Sequence, residues 1–529
     1  MAPQGLTLEH HQQGNYTPSS PTPPISRLPP EILPIIFFEA VQASRSKTST
    51  ALTISCVSQH WRNVALSAPE LWALIDTLDV EIIQTFMVRA KDRPLSVVLT
   101  SVKSENPLPI ITVLKSLHNI RHLQLSVYYK EDWSRVRSLP EMTGPAPVLE
   151  TLRLNGICLP NIILSGSVPS LRHLDLNTFD AEWKTIPNCP QLQSLCITRP
   201  ETQIRVSEFL QRLHTFPLLE KLQLECCFAD RSGVSIPNLL GPIELPNLKE
   251  LTFDTEDTSN VIPLLEHLRI PSTCQVSLDL MQDEPDEHLS LFPAFSACRT
   301  GSPRNIRELQ IVADHSLWLK IYEGDRPPAG PEEDHDAEEN RYTTNRGPNL
   351  EVTIWSPYSN EDAGRSIGMA TDICQNYVNL NDLEVIDLIA DGLINYPTQS
   401  FWKFVGSLST LRVLKVRYRY AQSFIEFLSA APQSPDRKFP PFSTIQKLVY
   451  EDLSDVDEVE EYSTRLIGLT EYLQIRAEMG VPLTILTLIQ VGEDVSLIPG
   501  GLLEDLQGSV QQVKRRVRKR TYDEAELVE

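Results

Sequence analysis

The stretch PSLRHLDLNTFDAEWKTIPNCPQLQSLCIT, from Pro169 to Thr198, contains one pattern twice: P-x-L-x-x-L-x followed by an apolar residue. Further copies begin at Pro147, Pro217 and Pro246, and the five starting prolines are 21 to 29 residues apart. In a chain of this composition, apolar residues at three fixed positions behind a proline would occur by accident about once. Five consecutive copies therefore indicate a structural repeat.

The alternating L-x-L part of the pattern predicts a short β-strand whose leucines face a hydrophobic core. The residues between copies predict a return helix or loop; VEIIQTFMVRAK at 80–91, for example, has the pattern of an amphipathic helix before the strand-like LSVVLTS. One such unit cannot bury its apolar face alone, whereas stacked units share a core. Weaker copies without the proline extend the array to about residue 490, at Ile120, Ile306, Leu383, Leu411, Ile445 and Leu483.

The array resembles the leucine-rich-repeat family, and the resemblance implies an irregular α/β solenoid. The asparagine or cysteine that usually follows the strand in that family is missing, because Tyr128, Ile157 and Phe179 stand there. The spacing between copies also varies, so we expect a distorted solenoid. A single α/β domain is the alternative interpretation.

A polar surface is expected on the other side of the strands, where the residue between the paired apolar positions points away from the core. Such a surface suits solvent or a protein partner equally well, and solenoids commonly bind along it. These positions hold Gln124, Arg153, Asp175, Cys196, Gln223, Thr252, Asp279, Gln310, Asp387 and Lys415.

The sequence RYRY at 417–420 follows one of these strands. Its arginines could receive a phosphorylated or acidic segment, or the four residues could form a half-exposed strand end. The candidate substrate-binding residues are therefore Gln124, Arg153, Asp175, Gln223, Asp387, Lys415, Arg417 and Arg419.

A second segment, residues 26–75, has the pattern of a small helical unit. In its first predicted helix Ile35, Ile36, Phe37 and Phe38 are consecutive, and at about 100° per residue they cover most of the circumference. A unit of about 50 residues buries barely enough surface to fold alone. One partner of this helix is therefore expected to be another protein.

Two further helices are predicted in this segment. Apolar residues at i, i+3, i+7 and i+10 indicate one buried face on a second helix, formed by Ile54, Val57, Trp61 and Val64. Ser67 and Glu70 form an S-x-x-E capping box that begins a short third helix, which carries Leu71 and Trp72.

These residues resemble the F-box, particularly the form abundant in fungal proteins, with its L-P-x-E-I-L opening, V-x-x-x-W-R middle and P-x-L-W end. The matched positions are Leu28, Pro29, Glu31, Ile32, Leu33, Ile36, Phe37, Val57, Trp61, Arg62, Ala65, Leu66, Pro69, Leu71 and Trp72. The sequence departs from the family at Pro34, one turn inside the predicted helix, and at Gln59-His60, where a cysteine and a basic residue are common.

The F-box resemblance implies docking on the Skp adaptor, and through it on a cullin scaffold, while the rest of the chain selects a protein substrate for ubiquitination. The candidate adaptor-binding residues are Leu28, Pro29, Glu31, Ile32, Ile36, Phe37, Val57, Trp61, Leu71 and Trp72. For Leu28, Pro29, Ile32, Ile36, Phe37 and Trp61 the sequence does not distinguish docking from a place in the core of the helical unit. The alternative is a three-helix cap on an interaction scaffold that has no ubiquitin role.

Composition narrows the function classes. A net charge of −22 argues against a nucleic-acid or anionic-membrane surface. Nine cysteines without a C-x-x-C spacing suggest buried thiols in a reducing compartment. No stretch of 18 apolar residues and no signal-peptide pattern occurs, so we expect a soluble intracellular protein, cytoplasmic, nuclear or both.

The predicted organisation is a disordered tail at 1–24, the F-box-like helical domain at 25–76, the repeat domain at 77–500 and a charged tail at 501–529. An acidic insert at 323–348 has too little apolar area to fold, or else binds a basic segment, and a second acidic insert occupies 451–462. In the charged tail, six of the seven residues at 514–520 are Lys or Arg. They predict a nuclear import signal, a site for an acidic partner or a solvated tail.

One pattern of enzymatic type is present: GRSIG at 364–368 fits the G-x-S-x-G of hydrolases, with Ser366 as nucleophile. That pattern requires a strand directly before it, but the surrounding residues predict a helix with Ser366 on its surface. P-loop and dinucleotide-binding patterns do not occur. We therefore predict a protein that is not an enzyme and uses no cofactor or metal, with a hydrolase as a third hypothesis.

Overall fold

The computed structural model divides the chain into two compact units, Met1–Leu99 and Thr100–Glu529. It describes residues 28–29, 31–102, 106–127, 144–156, 167–179, 183, 186–229, 241–281, 288–301, 305–313, 316–323, 348–355, 363–390, 399–430, 440–452, 459–491 and 500–518. The predicted tail at 1–24, residues 324–347 of the acidic insert and residues 519–529 of the charged tail lie outside the described residues.

The first unit is mainly helical. Its elements are α1 (Leu33–Ala43), α2 (Lys47–Val57), α3 (Gln59–Ser67), a 3₁₀ helix (Pro69–Trp72), β1 (Leu74–Ile75), α4 (Val80–Ala90) and the beginning of β2 (Leu95–Val102), and β1 pairs in parallel with β2. The Asp79 carboxylate caps α4 by accepting hydrogen bonds from the backbone N–H groups of Glu81 and Ile82, at 2.9 and 3.1 Å. The helix and strand predicted after the F-box-like segment are confirmed.

Helix α1 packs one side against its own unit. Leu33, Phe37 and Val41 are buried at a spacing of four residues, which places them on one face. Pro34 lies in the first turn and not one turn inside the helix as predicted, so it removes no intrahelical hydrogen bond.

The predicted second helix is in fact two helices. Ser58 separates α2 from α3 with an extended backbone, φ −158° and ψ 165°, and its Oγ accepts a hydrogen bond from Trp61 N at 3.1 Å. Ile54 and Val64 are buried, but Val57 is 56% exposed and Trp61 is half-buried. The prediction of one continuous buried stripe was wrong because a serine N-cap interrupts it.

The predicted capping box also does not form. Ser67 Oγ instead donates a 2.7 Å hydrogen bond back to Val64 O, within α3. The following segment is a single 3₁₀ turn that begins at Pro69 after Ala68, without a side-chain cap.

The second unit contains a large, mostly parallel sheet with helices between its strands. Its strands are β3 (Ile120–Val127), β4 (Thr151–Asn155), β5 (His173–Asn177), β6 (Ser194–Thr198), β7 (Lys221–Glu225), β8 (Ile243–Glu244), β9 (Glu250–Asp257), β10 (Leu268–Pro271), β11 (Gln275–Met281), β12 (Arg299–Thr300), β13 (Ile306–Ala313), β14 (Ser316–Glu323), β15 (Leu350–Trp355), β16 (Val385–Ala390), β17 (Val413–Tyr418), β18 (Lys447–Asp452), β19 (Leu483–Val491) and β20 (Val510–Arg518). Its helices are α5 (Leu108–Leu114), α6 (Val206–Leu213), α7 (Thr258–His267), α8 (His288–Cys298), α9 (Ala363–Asn376), α10 (Gln399–Gly406), α11 (Arg419–Ala430), α12 (Val459–Glu478) and α13 (Gly500–Ser509), with a 3₁₀ turn at Leu117–Asn119.

Two parallel runs make up this sheet. The first is β3-β4-β5-β6-β7-β9-β11-β15 and the second is β13-β16-β17-β18-β19-β20. Strand β14 joins them, because it pairs antiparallel with both β13 and β15. Strands β8, β10 and β12 form a separate small parallel sheet.

The leucines of the repeat pattern lie in register across neighbouring strands. Leu152 pairs with Leu174, which pairs with Leu195, and the row continues through Leu222 and Leu251. All five are at most 1% exposed, so each copy contributes to one core. The predicted strands, their inward leucines and the α/β class are confirmed.

Successive repeats also share a backbone conformation at or near the end of their strands. A residue with positive φ follows β4, β5, β6 and β7 and recurs within β9, and these residues are Gly156, Thr178, Arg199, Cys226 and Thr255. The N–H groups of the first four extend the ladder; Gly156 N, for example, donates to Asn177 O at 3.0 Å. At Gly156 a Cβ would lie 3.0 Å from Val127 O, which accounts for the glycine.

Three parts of the second unit differ from the sequence prediction. Strand β14 was not predicted. Residues 500–518 form α13 and β20, and β20 pairs with β19, so this part of the predicted charged tail belongs to the sheet. The predicted acidic insert at 451–462 begins inside β18, where Glu451 and Asp452 are buried.

Candidate functional site

The first unit exposes three isoleucines on the outer side of α1. Ile32, directly before the helix, is 44% exposed, Ile35 is 63% exposed and Ile36 is 40% exposed. Their i, i+3, i+4 spacing puts them side by side, opposite the buried face. We call Ile32, Ile35 and Ile36 the outer face of α1.

The structure divides the candidate adaptor-binding residues into three groups. The exposed ones are Pro29, Glu31, Ile32, Ile36 and Val57. Leu28 and Trp61 are half-buried. Phe37, Leu71 and Trp72 are buried in the unit's own core. The last three therefore support the surface from beneath.

Trp72 shows why the end of the F-box-like segment is core. Its Nε1 donates a 2.8 Å hydrogen bond to Ala65 O, and its ring meets Phe86 edge-on at 5.0 Å between centroids. The guanidinium carbon of Arg89 lies 4.3 Å from the same ring. Trp61, in contrast, packs at 4.7 Å on Phe37 and is half-exposed. Sequence spacing alone cannot distinguish these two tryptophans.

The second unit has the predicted polar side of the sheet, which we call the polar face. Gln124, Arg153, Asp175 and Gln223 follow one another in register, with Cys196 between the last two. All are half-buried or exposed. Arg153 Nε lies 3.9 Å from Asp175 Oδ2, which is a weak, solvated ion pair.

Farther along the polar face, Asp387, Lys415, Arg417 and Glu451 form a nearly buried charge cluster. Arg417 Nε lies 3.0 Å from Asp387 Oδ1, and Lys415 Nζ lies 3.6 Å from Asp387 Oδ2. Arg417 Nη1 is also 3.7 Å from Glu451 Oε2. Asp387 is only 3% exposed, so it neutralises two cations of its own sheet and does not present a surface.

The RYRY sequence spans a strand and a helix. Arg417 lies in β17, whereas Arg419 is the first residue of α11, with its side chain outside the described part. Tyr420 is fully buried. The structure does not bring Arg417 and Arg419 together on one strand.

Two exposed tryptophans on the polar face were not among the predicted site residues. Trp318 lies on β14 and Trp355 on β15, and each is 38% exposed. The alternation of SLWLKIYE at 316–323 is the signal that could have found Trp318, since Leu317, Leu319 and Ile321 alternate with outward residues. Trp355 is the last residue of β15.

Five of the cysteines in the described residues are buried, as expected, but Cys56 is exposed and Cys196 and Cys226 are partly exposed. Ser366 is buried in α9, which confirms the predicted helix and corrects the expectation that this serine is on its surface. Burial raises the pKa values of the Cys189, Cys274, Cys298 and Cys374 thiols to about 12. Within the described residues, no group of three or more His, Cys, Asp and Glu side chains could hold a metal ion.

Comparison with protein-family models and with curated protein sequences finds no match to this chain. Among the described helices, none combines the length and the apolar composition needed to cross a membrane.

Proposed function

We propose that this chain is the substrate-recognition subunit of an SCF-type cullin-RING ubiquitin ligase. In this proposal the first unit docks on the Skp adaptor, and the second unit, as an irregular leucine-rich-repeat-like solenoid, binds a protein substrate. The chain itself does no chemistry. It raises the effective concentration of substrate lysines near the ubiquitin-conjugating enzyme.

The outer face of α1 carries this proposal. Three neighbouring isoleucines stay exposed although the opposite side of the same helix is buried, and two of them, Ile32 and Ile36, are matched positions of the F-box resemblance. Burying one such side chain in an interface is worth roughly 1.5–3 kcal/mol. An adaptor surface that covers all three would contribute several kcal/mol towards the formation of a complex.

The test is co-expression of the full chain with the Skp adaptor, followed by affinity purification and measurement of the dissociation constant. Ile35→Asp is the informative variant because Ile35 is the most exposed of the three, at 63%, so its loss leaves the core intact. The matched control is Val88→Asp on α4, where the side chain is 78% exposed.

We expect a stoichiometric complex for the wild type and the Val88 variant. The Ile35 variant should bind at least about tenfold more weakly while its thermal unfolding is unchanged. A wild-type chain that is folded but ignores the adaptor would contradict the proposal, and equal weakening by both variants would place the interface elsewhere.

A further inference from the structure

An apolar patch lies on the polar face of the second unit, where three strands meet. Met281 on β11 pairs with Trp355 on β15, and Trp318 on β14 pairs with Thr353, two residues before Trp355. Met281 is 44% exposed, against 38% for each indole. We call Met281, Trp318 and Trp355 the Trp patch. Exposed clusters of large apolar side chains typically mark interaction sites.

Both indoles are fixed by their ring nitrogens. Trp355 Nε1 donates a hydrogen bond to Asp279 Oδ1, and Trp318 Nε1 donates one of 2.6 Å to Ser316 Oγ. Thr353 lies between them and is buried although it points to the polar face. The rings are therefore held in place before any partner arrives, and binding costs little side-chain entropy.

The patch is bordered by acids. Asp279 lies near Asp254 and Glu351, and these negative neighbours, together with the larger effect of burial, raise the pKa of Asp279. Glu351 is paired with Lys320 at 2.9 Å, but neither Asp254 nor Asp279 is paired with a lysine or arginine of the described residues. A cation from outside would offset this repulsion.

Indole faces and carboxylates favour the same kind of ligand. The electron-rich face of tryptophan attracts ammonium and guanidinium groups, and a free carboxylate attracts them by charge. With strands about 4.8 Å apart, three strands make a site roughly 10 Å wide. That width suits several residues of a polypeptide laid across the sheet.

We propose that the Trp patch binds an extended protein segment rich in lysine or arginine, with cationic side chains over the indoles and beside Asp254 and Asp279. The assignment of this segment to a ubiquitination substrate rests on the proposed function. The binding of a basic segment by the Trp patch does not depend on the proposed function.

The test uses the full chain and three fluorescein-labelled 12-residue peptides, in which alanine alternates with lysine, with arginine or with glutamate. Fluorescence anisotropy at about 0.15 M salt gives the affinities. Since the chain has a net charge of −22, basic peptides could bind weakly at many places on its surface. The deciding measurement is therefore the change in peptide affinity when the Trp patch is altered.

The decisive variant is Trp318→Ala with Trp355→Ala. Trp318→Phe with Trp355→Phe keeps the aromatic faces, and Glu266→Gln removes an exposed carboxylate on α7 of the same unit. We expect the lysine or arginine peptide to bind, the glutamate peptide not to bind, and the alanine variant to lose about tenfold or more in affinity. The phenylalanine and Glu266 variants should stay within about threefold of the wild type.

Equal affinity for the wild type and the alanine variant, or no binding by either basic peptide, would overturn the inference. A measurement of adaptor binding distinguishes a failure of this inference from a failure of the proposed function, because the alanine variant should still form the adaptor complex. Peptide binding without adaptor binding would leave this inference standing and remove the ubiquitin role.

Discussion

Nε of Arg417 lies 3.0 Å from Oδ1 of Asp387, on adjacent parallel strands and with little exposure of either side chain. Lys415, two residues before Arg417 on the same strand, shares this carboxylate at 3.6 Å. One buried aspartate thus faces two cations, and Glu451 contributes a second negative charge to Arg417 from the other side. The cluster fixes the pairing of β16, β17 and β18 on the polar face.

Replacing Asp387 by asparagine should destabilise the second unit strongly. The substitution preserves shape but leaves the buried cations short of one negative charge, which costs about 3 kcal/mol. The measurement is the thermal unfolding midpoint of the full chain, which should fall by several degrees.

Asp175→Asn provides the control, because Asp175 occupies the corresponding position on β5 but forms only a solvated ion pair, with Arg153 Nε at 3.9 Å. That variant should change the free energy of unfolding by less than about 0.5 kcal/mol. If both variants unfold at the wild-type temperature, the Asp387 cluster contributes nothing to stability.

The two tryptophans of the first unit should differ in their effect on stability. Trp72→Ala removes a fully buried ring and its hydrogen bond to Ala65 O, at a cost of about 3–5 kcal/mol, enough to unfold a small unit. Trp61→Ala loses mainly a half-exposed contact with Phe37, worth about 1–2 kcal/mol. Limited proteolysis should cleave the Trp72 variant within the first unit well before the Trp61 variant, and the reverse order would contradict this placement.

Much of the fold follows from the period of apolar residues. The L-x-L pattern specifies strands such as β4 and β5, because leucines two residues apart lie on one side of a strand. Stacked repeats bury these leucines in a shared core, which stabilises the array. The same logic fails for β20, where QQVKRRVR reads as a charged tail. A strand that pairs on one side with β19 can expose its basic side chains and still form backbone hydrogen bonds. Amino-acid composition alone therefore does not reveal this strand.

The site was less predictable, because burial depends on what packs nearby. Asp387 and Gln124 occupy equivalent positions of the repeat, yet one is buried among cations and the other is half-exposed. Ser58 likewise interrupts an apolar stripe that by spacing alone reads as one helix, since its hydroxyl competes for the backbone N–H of Trp61. Local side-chain hydrogen bonds of this kind cannot be predicted from the spacing of apolar residues.

Glu256 should make stability depend on pH. This buried carboxylate accepts a hydrogen bond from the Cys227 backbone N–H, yet burial dominates and raises its pKa to about 7. The folded state then holds a proton that the unfolded chain releases near 4.5, so the free energy of unfolding falls as pH rises from about 4.5 through about 7. The loss amounts to about 3 kcal/mol as an order of magnitude.

Glu256→Gln keeps an acceptor for Cys227 N without the charge. Relative to the wild type, it should therefore gain stability between pH 5 and pH 8, as measured by the shift of the unfolding midpoint at each pH. Glu250→Gln is the control and should behave like the wild type, because Glu250 lies on the same strand as Glu256 but is solvated and paired with Lys221 of β7. Parallel pH profiles for the Glu256 variant and the wild type would show that Glu256 does not titrate in this range.

The basic run near the C-terminus should behave as part of the sheet and not as a tail. Leu506 of α13 and Val510 of β20 are buried, and β20 covers one edge of β19, whose Leu483, Leu486 and Leu488 are also buried. A chain that ends at residue 499 would expose that apolar edge, so it should aggregate or unfold at a markedly lower temperature.

The control is Lys514→Gln with Arg516→Gln, which removes charge and keeps the strand. This variant should unfold within a few degrees of the wild type. A truncated chain that is soluble and as stable as the full chain would show that residues 500–518 do not complete the sheet.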